Sequence, residues 1–124
     1  GCEIAYELAL QGKKPIIVEM KDDLVAQKGV CLANSSYLRE WFALHKVPVY
    51  LNTTLKEVLD DRILCKDKSG MDIKIHCDSV ISSAGYISNP LVKRGKDVYL
   101  VGDCKDIGNL RTVIWGAYEA AMKI

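Results

Sequence analysis

Two residues near the start of the chain have the type and spacing to hold a dinucleotide. Gly1 heads the run Gly1-Cys2-Glu3-Ile4-Ala5-Tyr6-Glu7-Leu8-Ala9, and Glu19 closes the apolar run Ile16-Ile17-Val18. Gly1 fits the third glycine of G-x-G-x-x-G, which lets a helix pack closely on the strand before it. The free N–H groups and positive dipole end of that helix attract phosphate. An acid about 20 residues further on can accept hydrogen bonds from both hydroxyls of an adenosine ribose. Its charge repels a 2′-phosphate, so Glu19 selects NAD over NADP. On this reading the strand and the first two glycines lie upstream, and the chain is a piece of a larger protein. The plain alternative is a surface glutamate after a strand.

Two further groups lie at expected strand ends. Ser82-Ser83-Ala84-Gly85 is a run of small residues, and strand ends in open α/β sheets face the ligand crevice. Ala84 and Gly85 would let backbone approach a cofactor closely; a tight packing turn is the competing reading. Val101-Gly102-Asp103 precedes a helix capped by Asn109. The Asp103 carboxylate can accept hydrogen bonds from a sugar or ribityl hydroxyl, although Gly-Asp after a strand also makes an ordinary turn.

Other chemistry is absent from the pattern. The five cysteines, Cys2, Cys31, Cys65, Cys77 and Cys104, contain no C-x-x-C. They read as reduced, mostly buried thiols. His45 and His76 have no third partner for a metal site or a dyad. No nucleophile stands with a base, so no catalytic residue is assigned. A net charge of +1 gives no field to attract nucleic acid or a membrane surface. No apolar run approaches the ~20 residues that span a bilayer. The first residues open directly into a helical pattern rather than a signal peptide, which points to the cytoplasm.

The elements that must position these residues follow from period and punctuation. Ile4, Ala5, Leu8 and Ala9 share a helical face, and Gly12 and Pro15 end it. Residues 16–18 read as a strand buried on both faces. Residues 21–33, with Asp22 and Gly29, read as a loop with room for a short helix. Tyr37, Leu38, Trp41, Phe42 and Leu44 share a second helical face, capped by Asn34 or Ser35. Residues 47–51 form a strand beginning at Pro48. Val58, Ile63, Cys65, Ile73, Ile75 and Cys77 alternate with polar residues, and Lys68-Ser69-Gly70 turns the chain: an antiparallel meander. Ser79-Val80-Ile81 and Val98-Tyr99-Leu100-Val101 read as further strands, the second buried, with a connector over 86–96. A last helix carries Val113, Ile114, Ala117, Ala120 and Ala121 on its apolar side. The sum is an α/β, Rossmann-like dinucleotide-binding fold: a parallel sheet plus an antiparallel β-meander, truncated at its N-terminus.

These residues, in this order, resemble a known family. Gly1-Cys2-Glu3, Ile17-Val18-Glu19, Ala84-Gly85-Tyr86 and Val101-Gly102-Asp103-Cys104 are similar to the C-terminal half of the multidomain NADH:flavin oxidoreductases, which include 2-enoate reductases, 2,4-dienoyl-CoA reductase, trimethylamine dehydrogenase and the bile-acid-inducible oxidoreductases. The run from Gly102 through Gly108-Asn109-Leu110-Arg111-Thr112 to Trp115-Gly116-Ala117-Tyr118 resembles the enoate-reductase branch.

The resemblance implies a plan. Residues 1–86 match an NAD(P)-binding domain without its first strand, and residues 87–124 match the closing strand and helix of an FAD-binding domain. Gly102 and Asp103 match the FAD-contacting pair. Asn109 to Thr112 lie where the last helix faces the flavin. Hydride passes from NADH to FAD, then electrons through a 4Fe–4S cluster to FMN and an activated C=C bond. The FMN barrel, the cluster and most of the FAD domain lie outside this sequence, so the resemblance implies partners in the rest of the same enzyme and no activity for this piece alone. The missing strand would leave sheet edges open, a template for a homodimer by strand exchange. A ferredoxin- or disulfide-reductase relative, or a dinucleotide-binding module without catalysis, remain the alternatives.

Overall fold

The computed structural model describes residues 1–26 and 29–124. The expected loop over 21–33 therefore falls partly outside the described residues. The chain divides into two compact units, Gly1–Ser83 and Ala84–Ile124.

The first unit opens with helix α1 (Cys2–Leu10), strand β1 (Ile17–Val18), helix α2 (Leu32–Leu44) and strand β2 (Val49–Tyr50). Both helices end in the same way. After α1, Gly12 N–H donates to Ala9 and Lys13 N–H to Leu8, with Gly12 at φ 76°. After α2, Lys46 N–H donates to Ala43 and Val47 N–H to Phe42, with Lys46 at φ 54°. Each is a Schellman closure, which satisfies carbonyls that the helix leaves open. The second places a lysine where glycine is favoured.

The helices pack on a core of Ala5, Leu24, Leu38 and Phe42, with Cys2, Tyr6, Ile17, Trp41 and Val49 partly buried against it. Two helical faces differ from expectation. Ile4 points to solvent while Tyr6 packs inward, and Tyr37 and Leu44 are exposed. The inward arc of each helix is narrower than the apolar run in its sequence, because the two-stranded sheet covers little of it. Helix α2 also begins earlier than Ser35, at Leu32 with Cys31 as N-cap. Ser35 is buried and its hydroxyl donates to the Leu32 carbonyl, so it is not the cap.

Strands β1 and β2 pair in parallel, Ile17 opposite Val49 and Val18 opposite Tyr50. Both are half-buried rather than buried on two faces. The meander follows as expected: β3 (Thr54–Val58), β4 (Arg62–Lys66) and β5 (Asp72–His76) form an antiparallel sheet in that order. Ile63 opposes Ile75 and Cys65 opposes Ile73, so the alternating apolar residues meet on one face. Ile63, Cys65 and Ile75 are its buried centre. Asp67 builds the β4–β5 turn. Its Oδ1 accepts hydrogen bonds from Ser69 N–H, Ser69 Oγ and Met71 N–H at 2.8, 2.6 and 2.9 Å.

Residues 79–81 and 98–101 form no strand. A strand exists only where a neighbour supplies ladder hydrogen bonds. Among the described residues the one pairing near 98–101 is an isolated bridge between Gly95 and Val98. The expected buried strand is therefore a partly exposed, unpaired segment. In the second unit it runs into a short 3-10 helix (Gly102–Cys104), then helix α3 (Leu110–Ala121). No residue of α3 is buried; of its expected apolar side Val113 and Ala120 are partly buried and Ile114, Ala117 and Ala121 are exposed.

Candidate functional site

In the first unit, the start of α1 meets two other segments. Gly1 is the N-cap of α1, and its carbonyl accepts the Ala5 N–H at 2.9 Å. A Cβ placed on Gly1 would stand 3.0 Å from the Ser83 Cβ. That separation is shorter than ordinary van der Waals contact, so only glycine fits without displacement. Gly1 therefore serves close packing against the small-residue run rather than a generic helix start.

Glu19 is held at the tip of β1 by its backbone. Its N–H donates to Tyr50 at 2.9 Å, and its carbonyl accepts the Thr53 N–H at 2.9 Å. Thr53 is itself buried, with its hydroxyl on the Leu51 carbonyl at 2.8 Å. Asn52 N–H reaches the Lys21 carbonyl at 2.8 Å, so the loop after β2 clasps the turn after β1. The side-chain Oε1 of Glu19 accepts the Lys21 N–H at 2.9 Å. Its carboxylate is thus aimed by its own turn.

Cys2 ties these pieces together. Burial pushes its thiol above the ordinary 9.0, against the lowering effects of a Val25 backbone contact and Arg39; the Glu19 charge pushes with burial. Arg39 braces the same loop from α2. Its guanidinium grips Asp23 with Nε to Oδ1 and NH2 to Oδ2, both at 2.9 Å, and its Nε also reaches the Leu24 carbonyl at 2.9 Å. This forked pairing is the geometry that favours arginine over lysine.

The sequence pattern missed Thr53, Lys21 and the Asp23–Arg39 pair. Their contacts are backbone-mediated or span sixteen residues, and no local spacing encodes them. Ser83 lay inside the small-residue run, but its pairing with Gly1 had no signal.

The remaining site residues lie in the second unit. Ala84 and Gly85 are exposed, and Gly85 sits at φ 86°, a left-handed conformation suited to glycine. Gly102 is at φ 65°, and a Cβ there would meet Val113 Cγ2 at 3.3 Å. Asp103 Oδ1 accepts the Gly108 N–H at 3.2 Å. Asn109 and Thr112 form a reciprocal capping box: Asn109 Oδ1 accepts Thr112 N–H at 3.1 Å, and Thr112 Oγ1 accepts Asn109 N–H at 2.9 Å. Their side chains are spent on the cap. An open depression of about 220 Å³ is lined by Tyr86, Ile87, Asn89, Asp103, Cys104 and Ile107. Gly1 and Glu19 both lie in the first unit, and Asp103, Asn109 and Thr112 in the second.

The histidines are engaged structurally. His45 stacks on Trp41 at 3.9 Å, and His76 lies 3.6 Å from Asp61. The cysteines depart from expectation: Cys65 alone is buried, Cys31 is exposed and the others are intermediate. Among the described residues no three His, Cys, Asp or Glu side chains gather as a metal site, and no helix is long and apolar enough to cross a membrane.

No family model matches the chain. Its whole length aligns with 20% of an NADH oxidase of Thermoanaerobacter brockii, at 25% identity over 130 residues. A solved 2-naphthoyl-CoA reductase, in complex with 2-naphthoyl-CoA, superposes on 99% of the chain with a TM-score of 0.74 at 25% identity, over 19% of its own length. The fold is Rossmann-like α/β. A 6-hydroxypseudooxynicotine amine oxidase from Pseudomonas geniculata N1 shares that fold, with a TM-score of 0.78 over 98% of the chain and 20% of its own, at 17% identity. The chain thus spans about a fifth of the length of the proteins it matches.

Proposed function

We propose that the chain is the nicotinamide- and flavin-handling part of an NADH-dependent flavoprotein oxidoreductase. The observation that carries this reading is the close packing of Gly1 on Ser83 beside a Glu19 held at the tip of β1. The likeness of the chain, over all its residues, to a fifth of an NADH oxidase supports it.

The residues suit NAD. The first turn of α1 offers backbone N–H groups to the pyrophosphate. Glu19 Oε1 is engaged by Lys21, which leaves Oε2 for a ribose hydroxyl. In the second unit, Asp103 lines a depression beside Tyr86 and Asn89, the side where FAD is assigned. When bound, NADH would supply hydride chemistry toward a flavin, and this chain's residues would bind and orient both. Gly102 and Gly85 leave backbone bare and Ala84 adds only a methyl, and the capping box fixes the α3 N-terminus. We assign residues 1–86 to the nicotinamide domain and 87–124 to the FAD domain. The enoate-reductase branch is our preferred subtype, with the remaining domains as the chain's partners and the cytoplasm as its compartment. Among the described residues no group of His, Cys, Asp or Glu side chains gathers to hold an iron–sulfur cluster.

Titration of the chain with NADH and NADPH, in native and Glu19→Ala forms, tests the reading. Weak binding that favours NADH and loses that preference in Glu19→Ala is expected. Equal affinity for both nucleotides in the native chain would overturn it.

A further inference from the structure

The parallel ladder of β1 and β2 slips by one residue beside Glu19. Ile17 N–H donates to the Pro48 carbonyl and Glu19 N–H to the Tyr50 carbonyl, both at 2.9 Å. In an uninterrupted parallel ladder the Glu19 carbonyl would next accept the amide two residues beyond Tyr50, that of Asn52. It accepts Thr53 N–H instead, and Asn52 N–H turns away to the Lys21 carbonyl at 2.8 Å. One extra residue thus stands on the β2 side, a bulge at Asn52.

The bulge has a conformational cause. Asn52 is at φ 50°. This is the left-handed region, which asparagine enters far more readily than most residues and which a β-branched residue avoids. Thr53, the next residue, is 3% exposed, so the slipped register is pinned by a buried side chain.

The consequence falls on Lys21. Its carbonyl is held by Asn52 N–H, and its own N–H holds Glu19 Oε1 at 2.9 Å. A regular ladder would spend the Asn52 amide on Glu19 and leave the turn that carries the Lys21 amide unclasped. The extra residue therefore provides two bonds where the ladder would provide one: Thr53 to the Glu19 backbone, and Asn52 to the residue that grips the Glu19 carboxylate.

We infer, resting on the proposed ribose role of Glu19, that Asn52 is a positioning residue for nucleotide selection: its left-handed bulge clasps Lys21, whose amide aims the Glu19 carboxylate at the adenosine ribose. Asn52 acts through its backbone, so the side chain at this position matters through the conformation it allows.

Titration of the 124-residue chain with NADH and with NADPH, together with amide hydrogen exchange, tests this. Asn52→Val should lower NADH affinity about three- to tenfold, the scale of one hydrogen bond, without lowering NADPH affinity. Asn52→Gly, which enters the left-handed region freely, should keep the native preference. The Lys21 amide should exchange faster in Asn52→Val than in the native chain or Asn52→Gly, with the amides of α2 unchanged. Asn52→Ala carries the same expectations as Asn52→Val and replaces it if that variant does not fold. A preference for NADH that survives Asn52→Val and Asn52→Ala, an equal loss for the two nucleotides, or a loss as large in Asn52→Gly would each overturn this inference alone. A native chain without the preference, or a Glu19→Ala variant that keeps it, would overturn the ribose reading and this inference with it.

Discussion

Gly1 and Ser83 approach so closely that a Cβ on the glycine would stand 3.0 Å from that of the serine, joining residues at opposite ends of the first unit. A larger residue at Gly1 must push this contact apart. Gly1→Val is expected to cost about 1–3 kcal/mol, the usual range for overpacking. Ser83→Gly should recover part of that loss, and a double-mutant cycle by urea unfolding measures the coupling.

Lys46 holds a left-handed conformation at the end of α2. A side chain there costs roughly 1–2 kcal/mol that glycine avoids. Lys46→Gly is therefore expected to stabilise the chain by about 1 kcal/mol, part of the gain being offset by glycine's greater freedom when unfolded. Gly102→Ala, at φ 65° against Val113, should destabilise. Thermal unfolding of both variants checks the opposite signs.

Phe42 is 1% exposed and centres the α1–α2 core. Phe42→Ala should cost about 3–5 kcal/mol. Leu44→Ala, two residues on and exposed, should cost far less. Similar losses for the two would contradict the inward arc described for α2.

The titrating groups give opposite pH trends. Hydrogen bonds from the Ser69 side chain and the turn's backbone hold Asp67 below the ordinary 3.8. Its contribution is present above that value and is lost as pH falls through the folded pKa. Burial pushes Cys65 above the ordinary 9.0, with Cys77 adding to the rise. Its contribution is present below 9.0 and is lost as pH rises through the folded pKa. Unfolding of Asp67→Asn should show less acid sensitivity, and that of Cys65→Ala less alkaline sensitivity. In native protein, exposed Cys31 should react first with a thiol reagent and Cys65 last.

The meander was legible because alternation over β4 and β5 is a local signal, pinned by a turn whose Asp67 bonds only to near neighbours. The helices were legible from periodicity and from Gly12. The strands at 79–81 and 98–101 were not, because β-propensity states a preference and a ladder needs a neighbour. In the site, Gly1 and Glu19 carried their own signals. Thr53, which anchors Glu19, did not: an amide bonding to a carbonyl thirty-four positions earlier leaves no mark on residue type.

The central proposal is that the start of α1, the tip of β1 and Ser82-Ser83 of the first unit face a nicotinamide dinucleotide. Amide-resolved NMR titration of the isotope-labelled chain with millimolar NADH tests it most directly. The account predicts shifts at Cys2 to Ile4, Glu19 to Lys21 and Ser82 to Ser83, with the Glu19 and Lys21 shifts lost in Glu19→Ala. Shifts confined to other residues, or none at these positions, would contradict it.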